Sequence, residues 1–266
     1  MGADIKNLRV RIGSVDSTLH FTKAMGLVAS LKVRKATSAM EKSREYEAAI
    51  NNVISMLTSS PEAKRSPYMK KREGNRTRLI VISGDRGLAG GYNNNIFKLL
   101  RDYPDAEIIP IGKRACDKFS GRYHAEHFIY DYALDIAEKL LQDFVEEKFD
   151  RLGIVCTRYK NILSQEAQIK WVLPFTASEE AVQHSVIFEP DELTVLNEVA
   201  EICVASTILA SVRESFACEI VARKNAMDTA SKNAQDMLDD LQLEYNMARQ
   251  SSITQEITEI VAGSEE

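Results

Sequence analysis

Residues 191–262, DELTVLNEVAEICVASTILASVRESFACEIVARKNAMDTASKNAQDMLDDLQLEYNMARQSSITQEITEIVA, run for 72 positions between Pro190 and Gly263 without a glycine or a proline. Those two residues are where helices ordinarily stop, so the stretch predicts one continuous helix. At 1.5 Å per residue it would be about 108 Å long. A compact chain of 266 residues would be only about 50 Å across. The expected shape is therefore a rod that carries a globular part.

The other end of the chain supplies a partner for the rod. From Ile5 a 3-4 step lands on Leu8, Ile12, Val15, Leu19, Thr22, Gly26, Ala29, Val33, Ala36, Met40, Ser43, Glu47, Ile50, Ile54 and Leu57. This is a coiled-coil seam. In the C-terminal stretch a matching seam passes through Leu193, Leu196, Ala200, Cys203, Thr207, Ala210, Ala217, Ile220, Met227, Ser231, Ala234, Leu238, Leu241, Tyr245 and Ala248, with Glu214 and Lys224 as weak points. Small residues recur in both seams, which predicts close backbones and a slim, stiff pair. Charge sets the direction. Residues 1–44 hold nine Lys/Arg against three acids, and residues 236–266 hold eight acids against Arg249 alone. Only an antiparallel pair brings the two segments together, although exposed ion pairs orient rather than stabilise.

Pro61, Pro67 and the polar run Lys70–Asn75 end the first helix. Beyond them, apolar strands at Leu79–Ile82, Ile108–Ile111, His127–Ile129, Leu152–Cys156 and Gln168–Leu173 alternate with helices near Asn94–Arg101, Lys113–Ser120 and Tyr132–Lys148. β-branched strands with helices between them predict a small, mostly parallel, Rossmann-like α/β domain. The last strand, only about ten residues after its predecessor, is an edge partner. The expected organisation is an N-terminal shaft helix over 1–60, an α/β domain over 76–176 and a C-terminal shaft helix over 191–262.

Composition closes off several functions. Hydrophobic residues make up 44% of the chain, enough for a core, and the net charge of −5 disfavours a binder of nucleic acid that relies on a basic surface. Cys116, Cys156, Cys203 and Cys218 form no C-x-x-C pair and read as core residues in a reducing compartment. No apolar run reaches the ~20 residues of a membrane span, and no signal segment opens the chain.

Candidate chemistry is sparse. Gly84-Asp85-Arg86-Gly87-Leu88-Ala89-Gly90-Gly91-Tyr92-Asn93 lies after a strand and before a helix, where α/β proteins cradle phosphates. It matches neither nucleotide fingerprint, because Arg86 stands where a glycine is needed and no Gly-Lys-Ser/Thr follows. Turn glycines explain it without a ligand. His124-Ala125-Glu126-His127 offers metal-ligand types but lacks a third ligand cluster, so neither a metal nor a cofactor is expected. Asp239, Asp240 and Glu244 read as a solvated helix face. One feature needs more: Ile253, Ile257, Ile260 and Val261 prolong an apolar stripe past the end of the partner helix, which implies a socket in another protein.

Three sets of residues resemble the gamma subunit family of F-type ATP synthases. They are Thr22-Lys23-Ala24-Met25 with Val28-Ala29 and Lys32; Gly84 to Asn93; and Ala226-Met227-Asp228-Thr229-Ala230-Ser231-Lys232-Asn233-Ala234 with Tyr245-Asn246-Met247-Ala248-Arg249-Gln250 and Ile253-Thr254-Gln255-Glu256-Ile257. The resemblance spans essentially the whole chain. It implies a non-catalytic central rotor shaft that transmits torque between a membrane c-ring and a ring of alpha and beta subunits. ATP chemistry would belong to beta, the lobe would meet epsilon and the c-ring, and the complex would sit on the cytoplasmic face of a bacterial cell membrane. Arg249, Gln250 and Thr254 match the stretch that meets catch loops of beta and alpha. Met25 and Arg223 match shaft positions linked to coupling, and Ile253, Ile257 and Ile260 would form the tip bearing. Departures are His20-Phe21, Lys224 and the tail Gly263-Ser264-Glu265-Glu266. Two other readings come from the residues alone: a nucleotide-dependent enzyme with the helices as a dimerisation arm, and a homodimeric coiled-coil tether.

Overall fold

The computed structural model describes residues 2–176 and 186–264. Helix α1 covers Gly2–Thr58 and helix α5 covers Glu192–Ser264, with α2 (Tyr92–Leu99), α3 (Lys113–Phe119) and α4 (Tyr130–Val145) between them. Strands β1 (Thr77–Ile82), β2 (Glu107–Ile111), β3 (Arg151–Tyr159) and β4 (Gln165–Leu173) form one sheet in the order β2-β1-β3-β4. Both terminal stretches are thus unbroken helices. Pro61 stops α1 three residues after its end, since a proline has no amide to extend the ladder. At the start of α5, Asp191 acts as N-cap. Its carboxylate accepts from the Thr194 backbone N–H at 2.9 Å and from the Thr194 hydroxyl at 2.8 Å.

The chain divides into two compact units. One comprises the residues up to Ser30 with those from Arg223, and the other is Leu31–Ala222. In the first unit the two helices pair along the expected seam. Leu19 packs with Ala234 and Leu238, Thr22 meets Ser231, and Gly26 faces Met227 and Asp228. As one number rises the other falls, so the pair is antiparallel.

In the second unit, β1 is buried at all six positions. It is parallel to β2 and β3, with Ile80 opposite Ile109 and Ile154. Side chains alternate across it. Leu79 and Val81 pack with Tyr92, Ile96 and Leu100 on one face. Ile80 and Ile82 join the core of Leu140, Phe144, Leu57, Leu196 and Ile208 on the other. β4 lies at the edge, antiparallel to β3, with Val155 opposite Ile169. The sheet is small and mostly parallel, as its pattern predicts.

One expected strand is absent. His127–Ile129 is a turn leading into α4, and the chain touches the sheet only at Tyr123, in a single parallel bridge to Ile111. Just before His127, the Ala125 and Glu126 amides donate to Asp85, at 3.0 and 2.8 Å, which holds the chain in a turn at the point where a strand would begin. α5 also contains an 18-residue window of mean hydropathy 1.6, long and apolar enough to cross a membrane. Of that window 61% is buried inside the fold, where Cys203 to Ile208 are enclosed on every side.

Candidate functional site

The residues singled out from the sequence lie on two surfaces of the first unit. Met25 is half-buried on α1 beside the seam, and Arg223 is buried on α5. The contact between the helices is close there. A Cβ built on Gly26 would stand 3.4 Å from Asp228 Oδ1 and 3.5 Å from Met227 Cβ. Ser231 and Thr22, polar residues inside the seam, satisfy each other at 2.8 Å. Lys224, where the family resemblance departs, reaches along its own helix to Asp228 at 2.9 Å and so needs no partner across the seam.

The second surface is the end of α5. Burial at Met227, Ala234, Leu238 and Leu241 falls to partial burial at Tyr245, Ala248 and Ser252, following the heptad. From Ile253 to Ala262 every residue is exposed. Arg249, Gln250 and Thr254 point into solvent, and the Thr254 hydroxyl donates to the Gln250 carbonyl at 2.9 Å. Ile253, Ile257 and Ile260 are 43%, 56% and 71% exposed, three or four residues apart on one side. Full burial of an exposed isoleucine is worth about 1.5–3 kcal/mol, and roughly half of that remains to be gained at each of these, so a socket of matching shape would hold this tip without any directional bond. Asp239, Asp240 and Glu244 form an exposed face.

The glycine-rich segment after β1 turns two of its amides onto the chain's own side chains. The Gly84 N–H donates to Asn93 Oδ1 at 2.8 Å, and the Arg86 N–H to the buried Glu219 carboxylate at 3.4 Å. Asp85 draws in three further amides, those of Lys113, Ala125 and Glu126. The place where an anion would be cradled is filled by the chain's own carboxylates. The segment docks on α5 instead, with the Tyr92 hydroxyl donating to the Ser215 carbonyl at 2.9 Å. A Cβ on Gly84 would fall within 3.0 Å of Glu219, so that close approach is what requires the glycine. His124 lies 3.6 Å from Asp85, and among the described residues no three His, Cys, Asp or Glu side chains come together as metal ligands. The four cysteines are all unpaired thiols. Burial pushes Cys156 and Cys203 up to about 12 and Cys218 up as well, which leaves them protonated and inert at neutral pH.

Sequence reasoning missed the groups that fasten the sheet. Arg78 on β1 is 7% exposed and bridges Asp143 at 2.6 Å and Glu107 at 2.6 Å, with its guanidinium 4.5 Å from the Phe149 ring centroid. Glu126 joins Lys32 of α1 at 2.6 Å to Arg86 at 3.2 Å. Arg44 meets Glu214 at 2.5 Å, and Glu47 meets Lys170. The available signal was the charge at seam positions 47 and 214.

Comparison with known proteins agrees with this geometry. A family model described as ATP synthase matches residues 4–265. The ATP synthase gamma chain of Christiangramia forsetii is 37% identical over 281 residues, covering 99% of this chain and 98% of that protein. The gamma chains of Geotalea uraniireducens and Clostridium novyi are 33% and 35% identical, each over 99% of this chain and 98% of the relative. Among solved structures, the rotor of the Euglena gracilis mitochondrial ATP synthase aligns with TM-score 0.65 at 17% identity, over 95% of this chain and 100% of that one. The central stalk and c-ring structure of the Tetrahymena thermophila mitochondrial ATP synthase aligns with TM-score 0.63 at 23% identity, over 79% of this chain and 99% of that one. These two establish the likeness of fold, and the relatives establish kinship over nearly the full length. With a family model matched over nearly its whole length and relatives above 30% identity covered almost end to end, the chain belongs to the ATP synthase gamma chain family.

Proposed function

We propose that this chain is the central-stalk rotor of an F-type ATP synthase, turning inside a ring of alpha and beta subunits and fastened at its sheet-bearing end to epsilon and the membrane c-ring. The observation that carries the reading is the apolar stripe Ile253, Ile257 and Ile260, exposed on α5 beyond Ser252, the last partly buried position among the described residues. In this role residues 1–60 and 191–262 are the shaft and 76–176 the domain that receives torque. The chain is a non-catalytic subunit that works at the cytoplasmic face of a bacterial membrane.

A shaft controls three equivalent sites only if its faces differ, so that each orientation favours a different conformation in each neighbour. Arg249, Gln250 and Thr254 supply polar latches that exist at some angles and not at others. The three isoleucines supply a bearing, because apolar contact has no preferred direction and can be exchanged as the tip turns. Met25 and Arg223 adjust the fit of the shaft farther along. The Gly84–Asn93 segment supports the shaft reading over a nucleotide-dependent enzyme, since its Gly84 and Arg86 amides already serve Asn93 and Glu219, and its Asp85 carboxylate is taken up by amides from elsewhere in the chain.

Affinity purification of the tagged chain from its host is expected to bring down ATPase subunits in stoichiometric amounts; recovery of the chain alone would sink the reading. In the assembled complex, Arg249→Ala with Gln250→Ala is expected to lower ATP-driven rotation. Rotation at the wild-type rate would remove the latches from the account.

A further inference from the structure

The seam between α1 and α5 is broken by two carboxylates, Glu47 and Glu214. Glu47 is 9% exposed, and the Glu214 side chain is 16% exposed. Leucine at either place would make a better coiled coil, and a carboxylate withdrawn from water is costly unless it is paired. In both cases the partner involves the sheet. Glu47 binds Lys170 of β4. Glu214 accepts from Arg44 of α1 at 2.5 Å and from the Tyr159 backbone N–H at 2.7 Å, at the end of β3. The Arg44 guanidinium also donates to the Tyr159 carbonyl at 3.1 Å. One residue along α5, the Ser215 hydroxyl accepts from the Thr157 N–H at 3.1 Å.

The geometry has a simple origin. β3 pairs with β1 only as far as Val155. Thr157 and Tyr159 run on past the end of that ladder, and their amides would be unpaired on that side. Side chains of α5 take the place of the missing strand. Apolar contacts between a helix and a sheet tolerate sliding and turning, whereas a carboxylate on an N–H and a guanidinium on the adjacent carbonyl admit one azimuth.

We propose that Glu214, held by Arg44, is a positioning residue that keys the end of β3 to both long helices in a single rotational register, so that torque on the sheet is delivered to the shaft. The proposal rests on the rotor reading and names the place where that torque crosses.

The test uses the whole ATP synthase in sealed vesicles, measuring ions pumped per ATP hydrolysed. Glu214→Leu completes the apolar seam and removes the key. Hydrolysis per assembled complex is expected to hold, with at most a modest fall in melting temperature from the unpaired Tyr159 N–H, while pumping per ATP falls roughly fivefold, the low end of typical coupling between sites. Glu214→Gln keeps an acceptor for Tyr159 and is expected to lie between Leu and wild type. Arg44→Gln, on the more exposed side of the pair, is expected to behave as Glu214→Leu does, and it decides the matter if the leucine variant does not assemble. Wild-type pumping per ATP in Arg44→Gln overturns the proposal. So does a loss in Glu214→Leu that only tracks loss of assembled complex while Glu214→Gln is unaffected. A complex reconstituted without this chain serves as control: if it pumps as well as the wild type, the rotor reading fails and not merely the key.

Discussion

Two stretches of the same helix contrast sharply. Between Cys203 and Ile208 of α5 six consecutive residues are buried, so the helix is enclosed on all faces. Between Met227 and Leu241 burial, full or partial, recurs every third or fourth residue, and from Ile253 to Ala262 every residue is exposed. Helix propensity barely distinguishes these stretches, since none contains glycine or proline before Gly263. What changes is the number of neighbours. The first stretch is held by a core, the second is paired along a helix seam, and the third lies exposed. Stability therefore resides in the enclosed part, while the exposed isoleucines, which we propose meet other subunits, lie where the fold gains least from them.

That contrast can be attacked from its stable side first. Arg78→Ala is expected to destabilise the purified chain by about 3 kcal/mol in denaturant unfolding, because it removes the guanidinium that bridges Asp143 and Glu107 and leaves Asp143 with Lys148 alone. Ile208→Ala, a truncation in a fully enclosed site, is expected to cost about 2–5 kcal/mol. A loss below 1 kcal/mol at Ile208 would mean that the enclosed stretch is no better packed than the paired one.

A pH titration sharpens the same point. Hydrogen bonds from Lys148 and then Arg78 hold the Asp143 carboxyl below the usual carboxylate range. The unfolded chain has the ordinary value of about 4. The stability this group contributes is complete above that value and is lost as pH falls through the depressed native one. Asp143→Asn is expected to flatten the acid limb of the stability curve below about pH 4 while lowering stability at neutral pH.

The smallest effects belong to the paired and exposed stretches. Gly26→Ala adds a methyl at ordinary contact distance from Met227 and Asp228. With the gain in helix propensity it is expected to raise stability by up to ~1 kcal/mol. A loss instead would show that the helices touch more tightly than these distances imply. Ile257→Ala, in a side chain 56% exposed, is expected to change the stability of the isolated chain by less than ~0.5 kcal/mol. A larger change would place the tip inside the cooperative fold.

The long helices were legible because they depend on short-range rules. A run without helix breakers and a 3-4 apolar step are properties of neighbours along the chain, and the seam positions Leu19, Thr22, Gly26, Ala234 and Leu238 follow from them directly. The parallel strands were legible from their β-branched runs. His127–Ile129 was misread because its composition suits a strand, while the two amides just before it are held by Asp85, some 40 residues earlier, which sets the chain into a turn there. The same limit hid the fastening groups. Glu214 reads as a flaw in a heptad until the unpaired end of β3 is set against it.

Periodicity and charge balance were enough to establish that both ends of the chain are helices, that they run antiparallel, and that an apolar stripe outlasts the seam. They could not say which polar residues would be silent surface and which would be buried partners. That was decided by the sheet, because pairing a buried charge requires a group from a distant part of the chain to arrive at hydrogen-bond distance, and only folding brings Arg44, Tyr159 and Glu214 to one point.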